Sequence, residues 1–263
     1  NSLTIPGFLV PKETNPLGDP AKRLTVFTSA AGVEAAAAVG VEYIDADTRD
    51  ALLAAFSQDI KPPYIKVFNI DLENDETIAE ALSAAVAIDD AWYGLTIWSR
   101  VNADILAASA WIQTKQKIFA FQSSLSTLVG TYPPSLNALK AERTIGAWHT
   151  TDSEPLDLAW MTSRLVADPD VRSAGWRGAV DGVAPYTAFT EDQKLNGQIN
   201  NMNLFLKYYS AEGFMDPGVN MLGRAIEELI TRDWFIFRLG ERIGRLDLKY
   251  AKRREKIVVS ARE

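Results

Sequence analysis

Apolar positions along most of this chain fall into short β-rich runs separated by segments of helical period. Leu24–Thr28 reads as a strand, followed by a small-residue helix around Gly32–Val39. Asp47 stands where an N-cap would start a helix over Thr48–Ser57, and Pro62-Pro63 ends it. Tyr64–Ile70 is the next strand. Asn74 or Asp75 would cap a helix through about Ala87, in which Ile78, Leu82 and Val86 recur at helical spacing. The series continues as strand Tyr93–Trp98, helix Asn102–Lys115, strand Lys117–Gln122, short helix Pro133–Ala141, strand Thr144–His149 and helix Glu154–Ala167. Residues Asp168–Thr190 read as loop. Strands alternating with helices of this length predict βαβ units, an α/β fold with a mainly parallel sheet flanked by helices.

The two ends depart from this rhythm. Residues 1–23 hold Leu3, Ile5, Phe8, Leu9 and Val10 among Pro6, Pro11, Pro16 and Pro20, which predicts short strand pieces pairing only at the periphery. They read as an ordinary first strand with a loop, or as an arm lying on a neighbouring subunit. Near the other end, an amide-rich approach (Gln198, Asn200, Asn201, Asn203) leads into a strand, Leu204–Tyr209. Turn residues Gly213, Pro217 and Gly218 follow, and then a long helix from about Leu222 to Tyr250. Its middle, Trp234-Phe235-Ile236-Phe237, is apolar on more than one side, which suits a central, buried helix. Ile257, Val258 and Val259 read as a short terminal strand. The chain thus divides into a lead-in (1–23), a core (24–250) and a C-terminal arm (251–263).

Charge sharpens that division. The formal net charge is −7. Residues 238–256 carry eight Lys/Arg against three acids, net +5, which leaves −12 on residues 1–237. Arg245, Lys249, Lys252, Arg253 and Arg254 could meet the acidic body of another copy, or could simply complement a helix C-terminus and face water. The acidic balance argues against broad nucleic-acid binding. With no cysteine, disulfides and thiolate chemistry are excluded. Asn1–Val10 lacks a basic start followed by an apolar core, and the longest uncharged run, Ile118–Leu139, is broken by polar residues, Gly130 and two prolines. The expectation is a soluble protein without a signal peptide or membrane span.

Candidate chemistry is sparse. Asp71-Leu72-Glu73-Asn74-Asp75-Glu76 follows a strand end, where ligands of such sheets bind, but it lacks the glycine and spacing of a calcium loop and fits helix capping. Ser123, His149 and Asp152 allow a hydrolase reading without a nucleophile-elbow motif. Neither a dinucleotide nor a P-loop phosphate motif occurs, and one histidine makes a poor transition-metal site, so no cofactor is expected. Asp233 is expected to pair with Arg232, Arg238 or a neighbour. Gly240 and Gly244 suggest tight helix packing, and Trp176, in a glycine-rich loop, suggests a contact surface.

Three segments resemble the tail sheath family of contractile phages and related contractile injection machines, in particular its sheath-like branch. They are Leu24–Phe68, with Ser29-Ala30-Ala31-Gly32-Val33-Glu34 and Pro62-Pro63; Asp90-Ala91-Trp92-Tyr93-Gly94-Leu95 with Ala107–Phe121; and Asn203–Ile243, with Asp233-Trp234-Phe235. The resemblance implies a non-enzymatic subunit that stacks as rings around an inner tube and contracts by rearrangement. It implies a virion tail assembled in the host cytoplasm. Implied partners are other copies of the chain, the inner tube protein, and baseplate and tail terminator proteins, with no nucleic acid and no membrane. It also implies terminal arms that add strands to neighbouring subunits, here Leu3 and Ile5 at one end and Ile257, Val258 and Val259 at the other. Sheaths usually continue beyond the long helix, so an ending at Glu263 suggests a minimal sheath or absent outer segments.

Overall fold

The computed structural model describes residues 4–12, 23–38, 45–72, 74–130, 136, 139–165, 175–207 and 213–260, with residues 11, 12 and 247–260 described as backbone. Its centre is a nine-stranded sheet formed by β1 (Pro6–Lys12), β2 (Leu24–Phe27), β3 (Ile65–Asp71), β4 (Gly94–Ile97), β5 (Ile118–Ser123), β6 (Thr144–Trp148), β7 (Gly178–Ala179), β8 (Met202–Lys207) and β9 (Gly213–Asp216). The order across the sheet is β2-β3-β1-β4-β5-β6-β8-β9-β7. The six strands from β3 to β8 in that order are parallel, and the antiparallel pairs lie at the two edges. The α/β fold class is as the alternating pattern predicts.

Alternation within each strand divides the core. Phe68, Phe119, Phe121 and Leu204 point to one face, where α3 (Ile78–Ile88) and α4 (Asn102–Ile112) bury Ile78, Leu82, Ile105 and Ile112. The short α6 (Glu191–Ile199) lies over the same face, with Gly197 against Leu204. Val67, Ile118, Ala120 and Phe205 point the other way. There α1 (Ala30–Ala38), α2 (Ala46–Phe56), α5 (Leu156–Leu165) and the start of α7 (Ile226–Ser260) cover them. Both faces are therefore dry, as a parallel sheet requires.

Several expectations are corrected. The N-terminal strand is not peripheral. β1 lies between β3 and β4 and pairs parallel with both, Phe8 opposite Val67 on one side and Thr96 on the other. The prolines do not confine it to an edge, because Pro6 opens the strand and Pro11 is its second-to-last residue. α2 starts two residues early, capped by Asp45, whose carboxylate accepts from Thr48 N at 2.7 Å. α3 is capped by Thr77, in a reciprocal box with Glu80, instead of by Asn74 or Asp75. Three elements had no sequence counterpart: α6, β9 and the edge strand β7, which lies within the segment read as loop. Trp176 is fully buried, edge-on to Trp160 at 5.3 Å, and so is no contact surface. Residues Ile257, Val258 and Val259 continue the helix α7 instead of forming a strand. The helix expected over Pro133–Ala141 lies largely outside the described residues.

Candidate assembly surface

The long helix α7 is the feature the rest of the chain positions, and buried amides fix where it begins. Asn203 on β8 uses all its hydrogen-bonding capacity. Its Nδ2 donates to the carbonyls of Gly146 and Val219, both at 2.8 Å, and its Oδ1 accepts from the amides of Gly218 and Val219. That pins the turn after β9 to β6, with Gly218 at a positive φ of 82° where a side chain would be strained. Asn220 then donates to the Glu142 carbonyl and accepts from the amides of Leu222 and Arg224. Of the amide-rich approach seen in the sequence, Asn200 bonds the Leu128 carbonyl, while Asn203 and Asn201, whose Nδ2 donates to the Met221 carbonyl at 3.2 Å, brace the entry to α7. Fully satisfied buried polar groups of this kind select one geometry.

The first turns of α7 are held to the sheet by an ion pair. Asp233, 4% exposed, meets Arg143 at 2.6 and 3.0 Å through both guanidinium arms and accepts from the Tyr93 hydroxyl at 2.8 Å. Arg143 comes from the approach to β6, and Tyr93 from the approach to β4. Of the two partners named from the sequence, Arg232 reaches Asp233 only at 3.9 Å and grips Glu142 at 2.9 Å, and Arg238 pairs with Glu241 at 3.0 Å. Burial, reinforced by the Asp233 charge, pushes the Tyr93 hydroxyl well above its ordinary range. The bond to Arg232 holds the Glu142 carboxyl below its own. Ile226 and Leu229 are buried beside these groups, and Ile230, Trp234 and Phe237 pack partly against the same cluster.

The expectation of a centrally buried helix fails on the outer side of α7: Phe235 is 60% exposed, and beyond Phe237, where the helix runs past the body, Leu239 is 49% and Ile243 and Leu246 each 51% exposed. An added Cβ at Gly240 or Gly244 would meet nothing within 4 Å, so neither glycine serves packing inside the chain. An open groove along α7 is lined by Trp234, Phe235, Arg238, Leu239, Glu241, Arg242 and Arg245, with Glu241 accepting from Arg238 at 3.0 Å. Of the cations singled out in the sequence, Arg245 is exposed in this groove; Lys249, Lys252, Arg253 and Arg254 follow on the same helix as backbone. Ile5 is 4% exposed, and its carbonyl accepts from the amides of Tyr93 and Gly94 in its own chain. Leu3 lies outside the described residues.

The strand ends where catalysis would sit are used structurally. His149 is 4% exposed; its Nε2 lies 2.9 Å from the Ala184 carbonyl, and its Nδ1 takes the Thr151 amide. Ser123 Oγ accepts from the Leu125 amide. His149 and Ser123 meet through their backbones, by His149 N to Ser123 O, and not as base and nucleophile. Asp71 is bonded to Asn74, while Glu76 pairs with Arg23 at 2.8 Å. Among the described residues no group of three or more His, Asp or Glu side chains could hold a metal ion, and no helix is long and apolar enough to cross a membrane.

No family model and no curated protein matches the sequence. Solved structures do match the fold. One is a chain of the anti-feeding prophage baseplate, six-fold symmetrised, with a TM-score of 0.64 at 13% identity, covering 89% of this chain and 68% of that one. Another is a chain of the anti-feeding prophage helical sheath in its contracted state, with a TM-score of 0.59 and the same identity and coverage. The resemblance read from the sequence, to sheath components of contractile machines, therefore holds at the level of the fold.

Proposed function

We propose that this chain is a structural, non-enzymatic subunit of a contractile tail sheath, stacking as rings around an inner tube and contracting by rearrangement of rigid subunits. The observation that carries the reading is the shared fold with baseplate and contracted-sheath chains of the anti-feeding prophage, across 89% of this chain. A helix that leaves the body with apolar residues and cations on its surface adds to it, since an assembly subunit needs such a face. The partners in this proposal are other copies, an inner tube protein, and baseplate and terminator proteins, in a virion tail put together in the host cytoplasm. The strand-adding arms belong to the proposal too. Ile5 would have to leave its own sheet to serve a neighbour, and Ile257, Val258 and Val259 would have to unwind from α7.

Co-expression with a candidate tube protein tests the reading. Large tube-containing particles should sediment with this chain bound, and His149→Gln, a polar replacement for the buried ring, should still form them. A chain that stays at monomer size beside intact tubes overturns the proposal. A hydrolase reading through Ser123 and His149 would require the same substitution to abolish an activity.

A further inference from the structure

We propose that the outward face of α7 docks onto the acidic body of a second copy, so that copies join head to tail; this rests on the assembly reading above and names its contact surface. The helix has two apolar sides. At about 100° per residue, Ile226, Leu229, Asp233 and Phe237 face the body. Phe235, Leu239, Ile243 and Leu246 fall within a separate arc of about 80°, centred about 120° round the helix from the first. Surface helices normally turn charge outward, and a continuous apolar stripe on the outer face marks a contact. Along the groove the stripe is bordered by Arg238, Arg242 and Arg245, with Glu241 paired to Arg238, which leaves a net positive edge. Beyond the body, the inward side carries Gly240 and Gly244, with open space around each, leaving room for close approach of another backbone.

Charge selects the occupant. Pairing α7 with α7 of a second copy would set a +5 segment against another +5 segment, whereas residues 1–237 of that copy carry −12. The contact is therefore between two different surfaces. Such a heterologous contact leaves a free donor at one end and a free acceptor at the other, which builds an open array and not a closed dimer.

The variant Leu239→Glu/Leu246→Glu tests this, because both residues are solvent-facing and glutamate keeps helix propensity. Unchanged far-UV circular dichroism and melting temperature establish the fold, and Leu239→Ala/Leu246→Ala serves as a milder second variant. Wild type should self-associate in sedimentation velocity with a steep salt dependence. Two differently tagged copies of the variant should bind each other about 100-fold more weakly. One tagged variant, whose body is intact, should still capture purified wild type. Undiminished variant–variant association would show that another surface is used and overturn the inference while leaving the assembly reading in place. A variant that captures no wild type would mean α7 pairs with α7 and also overturn it. Wild type that never self-associates, with or without tube protein, would overturn the inference and the assembly reading together.

Discussion

Replacing Asp233 by alanine should be among the most damaging changes outside the apolar core. The substitution leaves the Arg143 guanidinium, whose side chain is 11% exposed, without its bidentate partner, and the Tyr93 hydroxyl without its acceptor. Breaking a buried pair from one side costs about 3–5 kcal/mol. Arg143 keeps a bond to the Lys117 carbonyl at 3.2 Å, so the lower end of that range, about 3 kcal/mol, is expected. With a urea dependence near 3 kcal/mol/M for a chain of this size, the unfolding midpoint should fall by about 1 M. Replacing all three members, Tyr93→Phe/Arg143→Met/Asp233→Leu, removes the stranded charge and should restore stability to within about 1 kcal/mol of the parent. Urea titration followed by circular dichroism reads both. A midpoint shift under about 0.3 M for Asp233→Ala, or a triple variant no better than the single one, would refute the view that this pair anchors α7 in a water-poor site.

Further outcomes follow from the same contacts. Gly94→Ala should cost about 1–3 kcal/mol by thermal or urea unfolding, because a Cβ there would come within 2.2 Å of Met161 Sδ and 2.4 Å of Leu165 Cδ1. Trp176→Ala should cost about 3–5 kcal/mol by thermal or urea unfolding, since the indole is wholly enclosed against Trp160. The raised Tyr93 value gives an alkaline signature. Above about pH 10 the unfolded chain has lost a proton that folded Tyr93 retains, so unfolding releases it and stability drops as pH rises. Urea midpoints measured from pH 8 to 11 should fall less steeply for Tyr93→Phe than for the parent.

What the sequence made legible was governed by local pattern. Strands β3, β4, β5 and β6 are short β-rich runs, apolar for the most part although β3 includes Lys66 and Asn69, and their alternation with helices indicates a parallel sheet without any long-range information. The place of β1 was not legible, because its slot between β3 and β4 is set by strands more than fifty residues away. Helix α6 was missed because its only apolar residues, Leu195 and Ile199, are largely exposed, although Thr190 and Gln193 spell a capping box that could have been read. The run Ile257-Val258-Val259 has strand propensity, but the helix continues through it, an instance of context overriding propensity. The partner of Asp233 lies 90 residues away, beyond any local signal. The apolar excess of α7 was visible, yet the sequence alone assigned it to the interior. Exposure distinguishes the two sides of that helix, and the outward one carries the candidate assembly surface.

Negative-stain electron microscopy of the purified chain, concentrated at moderate salt and again after co-expression with a candidate tube protein, tests the central claim most directly. The account predicts helical tubes or stacked rings, with the tube protein inside them in the second case. Uniform monomer-sized particles under both conditions would contradict it.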